Sequence, residues 1–324
     1  MDFTWQDGER TIRFGRGSAA GSRDLLGEGY ALLTTPRAEP MAPDVVERAG
    51  SVHHVGSGLV DELSADLLAA GVEGDLVVAL GGGRVIDTAK AIAGATGRRA
   101  GAIPTTLSAA EMTKVHRTPK GHADAKPIRP AIVVNDPILC ASQPEADLAA
   151  SAANSLAHAV EATVTTMSSP VPTLAAREAQ RLIDAAYLVE GEPPAAAQRD
   201  QLALASLLSG YAIDAAWYGL HHVLSQTLVR VGGAGHGPAN AAMLPHTIGA
   251  LERRNPGRVD PDGGLAQLAH RLARIAGADG IRGIGVPEDR LDACAEAAAQ
   301  RAELDFTAPR AEQAELRALY AAAW

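Results

Sequence analysis

The sequence predicts an α/β domain built on a parallel sheet, followed by an all-α domain. Over residues 1–145, short apolar runs alternate with helix-like segments, a pattern typical of parallel strands joined by crossover helices. One of these runs leads directly into three glycines and a further helix-like segment. Over residues 146–324 the segments are long and alanine-rich instead. We therefore predict two domains, 1–145 and 146–324, with the boundary set by this change in composition.

Hydrophobic periodicity predicts the elements of the first domain. Four mainly apolar runs predict buried strands at residues 30–34 (YALLT), 75–80 (DLVVAL), 102–104 (AIP) and 131–134 (AIVV). Apolar residues at helical spacing predict helices at residues 59–70 and 85–95. In the second domain the first predicted helix spans residues 146–167, and the last begins near Arg310.

Bulk composition argues against several classes of protein. The net charge of −9 and the aromatic content of 3% do not provide the basic face and stacking rings that nucleic-acid binding uses. Two cysteines, Cys140 and Cys294, are too few for a disulfide framework and fit a reducing compartment. The polar start lacks the apolar core of a signal peptide, and no apolar run approaches the roughly 20 residues of a membrane span. We expect a cytoplasmic protein with a small-molecule substrate and neither a nucleic-acid nor a membrane partner.

The glycine turn, Gly81-Gly82-Gly83, joins a predicted strand to a predicted helix. Glycine permits positive φ and lets a ligand approach the backbone closely. A helix N-terminus adds N–H groups and partial positive charge. This combination suits a pyrophosphate, although a tight turn without a ligand is the alternative. Thr105 and Thr106 follow the next strand, at the sheet edge where ligands of α/β proteins bind. The alternative for these two hydroxyls is helix capping.

A histidine cluster is predicted in the second domain. Asn154 and His158 are four residues apart and share a helix face, as do His222 and Gln226, while His236 lies in a glycine-rich loop. A single histidine on an apolar helix is more often a hydrogen-bonded core residue. Three on packed helices fit a site better, either as metal ligands or as proton donors.

These motifs together resemble the iron-containing alcohol dehydrogenase superfamily, which includes dehydroquinate synthases and maleylacetate reductases. The resemblance runs from about Phe3 to the C-terminus. It is carried by Gly81, Gly82, Gly83, Asp87, Ala89 and Lys90, by Pro104-Thr105-Thr106, by residues 156–161 (LAHAVE) and by residues 236–246 (HGPANAAMLPH). It implies the two-domain fold of that superfamily, a homodimer in which a strand near Thr11–Phe14 pairs across the interface, and NAD or NADP as cofactor.

Within the superfamily, three details are most similar to maleylacetate reductases. They are Glu111-Met112-Thr113, Asn154 in place of an aspartate, and residues 219–222 (GLHH). The resemblance implies reduction of a carbon–carbon double bond in a keto-diacid without a metal. In metal-dependent members His158, His222 and His236 would be the ligands, but a neutral Asn154 is a poorer ligand than a carboxylate. Gln226 also departs from the pattern, standing where many members have a histidine.

The resemblance assigns roles to individual residues. The implied catalytic residues are His222, His158, His236 and Asn154. The implied cofactor-binding residues are Gly81, Gly82, Gly83, Asp87, Lys90, Thr105, Thr106 and Thr35. Residues expected to bind a substrate carboxylate or line its pocket are Lys114, His116, Arg117, His221 and Gln226. Thr35-Pro36-Arg37 stands where NAD-preferring relatives often carry an acid, which leaves NAD versus NADP open.

Two other functions remain open at this point. One is a dehydrogenase of a specialised pathway that oxidises a hydroxyl on a larger substrate, such as a peptide. A β-hydroxy acid oxidised in this way gives a β-keto acid, which can lose carbon dioxide. The other is a nucleotide-binding protein that has lost its chemistry at Asn154 and Gln226.

Overall fold

The computed structural model describes residues 1–189 and 191–324. The chain divides into two compact units, Met1–Gln143 and Pro144–Trp324, called here the first and second unit. No helix among the described residues is both long and apolar enough to cross a membrane.

The first unit contains a seven-stranded sheet in the order β1-β2-β7-β6-β5-β3-β4. Every neighbouring pair is parallel except β1–β2, which is an antiparallel hairpin. The predicted α/β fold class is therefore confirmed. The strands are β1 (Phe3–Asp7), β2 (Arg10–Phe14), β3 (Tyr30–Thr34), β4 (Ala49–His54), β5 (Leu76–Gly81), β6 (Arg99–Pro104) and β7 (Ile132–Asn135).

The sheet is buried on both faces, and this explains its nearly continuous apolar strands. Ala31 and Leu33 of β3 pack into one core cluster, while Tyr30 and Leu32 pack into the other. Five helices accompany the sheet: α1 (Arg23–Leu26), α2 (Pro43–Glu47), α3 (Val60–Ala69), α4 (Gly83–Thr96) and α5 (Pro137–Cys140). Helix α4 contributes Ile86, Ala89 and Ile92 to the first of these clusters.

The N-terminal hairpin corrects one expectation about assembly. Strand β2 pairs with β1 on one side and with β7 on the other, so both of its edges are occupied within its own chain. Residues 11–14 therefore have no free edge with which to pair across an interface. The edge strand on this side of the sheet is β1.

The second unit is helical, as predicted. Its helices are α6 (Glu145–Ala162), α7 (Pro170–Ala186), α8 (Ala196–Ala216), α9 (Leu220–Thr227), α10 (His236–Arg254), α11 (Leu265–Ile275), α12 (Leu291–Ala299) and α13 (Gln313–Ala323). Helix α6 packs against α7, α8, α9, α10 and α11, which explains why alanine and other small residues dominate it.

The predicted extension of the first helix to residue 167 is wrong. Helix α6 ends at Ala162, where a run of β-branched residues begins. The Thr163 hydroxyl donates to the Val160 carbonyl, and the Thr165 hydroxyl donates to the Ala216 carbonyl. These side-chain bonds compete with the helical pattern.

Candidate active site

The glycine turn lies between β5 and α4, and close contacts explain its composition. A Cβ on Gly81 would lie 2.7 Å from Val85 Cγ2, and one on Gly82 would lie 3.2 Å from the side chain of Thr106. None of the three glycines has a positive φ, and Gly82 has φ −78° as the N-cap of α4. The turn therefore does not use the positive φ that glycine permits, and its lack of side chains instead makes room for Val85 and Thr106.

A cavity of about 270 Å³ opens beside this turn. Its charged lining residues, Arg37 and Arg84, are both cationic. The N-terminus of the 14-residue helix α4 offers N–H groups and partial positive charge to an anion. The site therefore suits a pyrophosphate with its adjoining ribose. The lining residues are Thr35, Arg37, Ala38, Met41, Val55, Gly82, Gly83, Arg84, Val85, Thr105 and Thr106.

Lys90 and Asp87 lie behind the turn rather than in this cavity. Lys90 is fully buried, and its ammonium donates to the carbonyls of Ala110 (2.9 Å), Thr113 (3.0 Å) and Val115 (2.8 Å). Asp87 Oδ1 lies 2.8 Å from the same ammonium. These acceptors surround the Lys90 ammonium, so it anchors the segment 110–115 and offers no face to a cofactor.

Gly82→Val is expected to weaken dinucleotide binding at least tenfold, or about 1.4 kcal/mol, because the added carbons would occupy the space between the turn and Thr106. Calorimetric titration with NADH and NADPH measures this change. Gly249→Val is a suitable control, since a Cβ there meets only the Arg253 guanidinium at 3.5 Å. Equal affinity in a folded Gly82→Val protein would place the cofactor elsewhere.

The loop predicted to bind substrate, which carries Lys114, His116 and Arg117, makes its own contacts within the first unit. The His116 Nδ1–H group donates to the Arg117 carbonyl, and Nε2 accepts from the Ile128 N–H. Burial lowers the pKa of His116, which keeps the ring neutral. The Arg117 guanidinium lies 3.3 Å from Asp61 Oδ1, and Lys114 is also engaged. Several polar groups of this loop therefore already bond to other residues of the protein.

The second unit brings Asn154, His158 and His222 into one cluster. Helix α6 carries the first two and α9 the third. The His158 and His222 rings stack with centroids 4.8 Å apart and an interplanar angle of 11°. Within the described residues, Asn154 Oδ1, His158 Nδ1 and His222 Nε2 are buried atoms without a hydrogen-bond partner. Since buried polar atoms are normally paired, each of these three atoms can accept or donate a hydrogen bond to a bound molecule.

Glu161 holds this cluster together, although the sequence analysis gave it no role. The carboxylate is 1% exposed. Its Oε1 accepts from the N–H groups of Gly219 (3.1 Å) and His221 (2.8 Å) at the start of α9. Its Oε2 lies 2.5 Å from His222 Nδ1. One side chain of α6 thus caps α9 and fixes the ring plane of His222.

Burial sets the charge of the imidazoles. It lowers the pKa of His222 to about 3, with the neighbouring His236 as a smaller cause. Burial also lowers the pKa of His158 well below its usual value, and the other cluster histidines contribute. The cluster therefore contains neutral rings at neutral pH. His236 lies at the exposed start of α10, where its Nε2 is 3.2 Å from Asn240 Nδ2.

Two predicted substrate residues have other partners. His221 is fully buried, with Nδ1 2.8 Å from Thr247 Oγ1 and Nε2 3.2 Å from Asn240 Oδ1. Both of its ring nitrogens are therefore used within the unit. Gln226 Oε1 accepts from the Arg301 guanidinium at 3.0 Å.

Arg301 belongs to a second polar group that the sequence did not reveal. It makes two bonds to Glu303, of 2.9 and 2.8 Å, and the Tyr218 hydroxyl donates to the same carboxylate at 3.1 Å. The Arg301 hydrogen bonds lower the pKa of Glu303 to about 2, so the two groups neutralise each other. The Tyr218 ring lies 5.6 Å from that of His222 and 5.4 Å from that of Trp217, which connects this group to the histidine cluster.

The donor set does not fit a divalent cation. No three His, Cys, Asp or Glu side chains within residues 1–189 and 191–324 are grouped to hold a metal. The stacked rings of His158 and His222 have their lone pairs in nearly parallel planes, which do not meet at one ion. Asn154 contributes no negative charge, and both oxygens of Glu161 already have partners. We therefore derive no step through a metal.

Comparisons with known proteins identify the family of the chain. The family model "Iron-containing alcohol dehydrogenase" matches residues 10–137, and "Fe-containing alcohol dehydrogenase family, C-terminal" matches residues 148–324. A maleylacetate reductase of Sphingobium indicum is 29% identical over 96% of this chain and 94% of its own length. One from a Rhizobium species is 30% identical over 91% of both chains.

Solved structures give the same result. The crystal structure of the maleylacetate reductase from Rhizobium sp. strain MTP-10005 has a TM-score of 0.84 and 28% identity, covering 100% of this chain and 98% of the other. The maleylacetate reductase from Agrobacterium tumefaciens has a TM-score of 0.83 and 27% identity, covering 100% and 99%. These matches do not favour a specialised-pathway dehydrogenase or a non-catalytic binder. The chain belongs to the iron-containing alcohol dehydrogenase superfamily, on its maleylacetate reductase branch, and is an NAD(P)-dependent oxidoreductase.

Proposed function

We propose that the first unit holds the dinucleotide in the cavity beside the glycine turn. The pyrophosphate is received by the start of α4, and the hydroxyls of Thr35, Thr105 and Thr106 contact the phosphates and ribose. Because Arg37 and Arg84 line the cavity without an acid, a 2′-phosphate is tolerated and both NAD and NADP are accepted. Lys90 and Asp87 act indirectly, by fixing the segment 110–115. When bound, the nicotinamide supplies the hydride at C4.

The second unit, in this proposal, binds an unsaturated keto-acid such as maleylacetate. The observation that carries it is the set of three buried, unpartnered atoms of Asn154, His158 and His222. A polar substrate completes their hydrogen bonds, and such contacts position the reacting carbon for hydride transfer. The balanced reaction is substrate plus NAD(P)H plus a proton, giving the saturated product and NAD(P)⁺. The enzyme works without a bound metal, since the donor set does not suit one.

Absorbance at 340 nm tests this function. We expect maleylacetate to oxidise NADH or NADPH, and a panel of simple alcohols to reduce NAD(P)⁺ far more slowly. The same assay after exhaustive treatment with a chelator should give an unchanged rate. Turnover of alcohols without turnover of maleylacetate would favour an alcohol dehydrogenase. Loss of activity on chelation, restored by zinc or iron, would overturn the metal-free proposal.

We also propose a homodimer, with the edge strand β1 available for pairing. A monomer mass by light scattering at micromolar concentration would remove this proposal.

A further inference from the structure

Two arginines line the cavity beside the glycine turn, and nothing in the protein neutralises them. Arg37 follows β3 and Arg84 is the second residue of α4. Both are exposed, and neither pairs with an acid within residues 1–189 and 191–324. The acid closest to Arg37 along the chain, Glu39, does not line the cavity and lies 2.6 Å from His54 instead. The cavity is therefore locally cationic, in a chain whose net charge is −9.

Local structure does not account for the charge of Arg84. The residue lies in the first turn of α4, where the helix dipole disfavours a cation. That turn contains no acid to offset the charge, and an exposed side chain is not needed for packing. A residue that breaks a local preference without a structural gain is typical of a functional site.

The sheet places both guanidinium groups on the same side of the glycine turn. Strand β5, which leads into the turn, lies between β6 and β3, and β4 lies beyond β3. Arg37 follows the end of β3. The Arg84 side chain extends in the same direction, because its Nη1 lies 3.5 Å from the carbonyl oxygen of Gly56, two residues beyond β4. A dinucleotide with its pyrophosphate at the start of α4 therefore has one ribose on the arginine side. In dinucleotide-binding folds an acid at this place bonds the 2′-hydroxyl of the adenosine ribose, and an arginine accommodates a 2′-phosphate.

We propose that Arg84 and Arg37 together bind the 2′-phosphate of NADP, so that NADPH binds more tightly than NADH. A phosphate monoester carries a charge of about −1.5 to −2 at pH 7, which two guanidinium groups match. Each guanidinium presents several N–H groups in a plane, a geometry that suits phosphate oxygens. The backbone N–H groups at the start of α4 remain available to the pyrophosphate. The inference rests on the proposed function, which places the dinucleotide in this cavity.

Calorimetric titration of the full chain with NADPH and NADH tests this proposal. We expect wild type to bind NADPH at least about tenfold more tightly than NADH, the effect of one or two charge-assisted hydrogen bonds. Arg84→Ala and Arg37→Ala should each weaken NADPH binding about tenfold and leave NADH binding nearly unchanged, for the same reason. The fragments 2′,5′-ADP and 5′-AMP, which lack the nicotinamide, should show the same contrast. Both arginines are exposed, so the variants should keep the wild-type fold.

Arg99→Ala is the matched control. Arg99 is an exposed arginine of the same unit, but it begins β6 and so lies at the opposite edge of the sheet from the cavity. Its removal should leave both affinities unchanged. Equal losses of NADH and NADPH affinity in Arg84→Ala would place that guanidinium on the pyrophosphate, and equal affinities in wild type would show no discrimination. Either result would overturn the proposal and leave the proposed function standing. If Gly82→Val left both affinities unchanged, the cavity would not be the cofactor site, and both would be rejected.

Discussion

Lys90→Met is expected to destabilise the first unit by about 3–5 kcal/mol, the usual range for breaking a buried ion pair by removing one partner. The methionine keeps much of the volume but leaves Asp87 and three carbonyl groups without their donor. Urea denaturation followed by circular dichroism measures the loss as a lower transition midpoint. Dinucleotide affinity should also fall, because the anchored segment includes Ala110, which lies 3.8 Å from the Cβ position of Gly83 in the glycine turn.

Lys120→Met provides the matched control. Lys120 pairs with Glu62 at 2.6 Å, but its side chain is 60% exposed, and solvent-exposed pairs contribute little to stability. If both substitutions changed the free energy of unfolding by the same small amount, the buried ammonium would not be an anchor.

His222→Ala is expected to lower kcat about 100-fold or more, which corresponds to about 2.7 kcal/mol of transition-state stabilisation. The substitution removes the unpartnered Nε2 and leaves Glu161 Oε2 without its ring partner. Steady-state rates at 340 nm and affinity for NADPH should be measured together. Dinucleotide affinity should change little, since the predicted cofactor residues all belong to the first unit.

His270→Ala, in the same unit, controls for the loss of an imidazole. His270 is exposed on α11 and lies 6.3 Å from His246, outside the cluster. A His222→Ala protein with a normal rate would show that the cluster is not the reacting site.

Local pattern predicted the fold well where the sequence is strongly periodic. Strand β3 has the predicted bounds, Tyr30–Thr34, because five consecutive buried residues leave little doubt about its ends. Strand β4 (Ala49–His54) was not predicted. It lies at a sheet edge with alternate residues exposed, so polar residues interrupt the apolar signal. The end of α6 was placed too late, because one of the side-chain bonds just beyond it, from Thr165, goes to Ala216, far along the chain.

The site shows what spacing alone does not reveal. The sequence indicated that Asn154 and His158 share a helix face, but it did not predict that His221 would turn both ring nitrogens into the core. The resemblance implied Lys90 as a cofactor-binding residue, yet its carbonyl partners lie 20 to 25 residues further along the chain. Glu161 was detectable in principle, since it follows His158 by three residues on one helix. Its contact with His222 depends on how α9 packs against α6.

The ring contacts from Trp217 through Tyr218 to His222 also allow binding near His222 to be followed by tryptophan fluorescence. Indole emission responds to what lies against the ring, and Trp217 stacks on Tyr218, which in turn contacts His222. The chain has only two other tryptophans, Trp5 and Trp324. Trp5 lies on β1, and the indole N–H of the C-terminal Trp324 donates to the Val286 carbonyl. With Trp5 and Trp324 replaced by phenylalanine, the remaining tryptophan fluorescence would come from Trp217, beside the histidine cluster. Under the proposed function, substrate binding in the second unit and cofactor binding in the first could then be timed separately, the latter by nicotinamide emission.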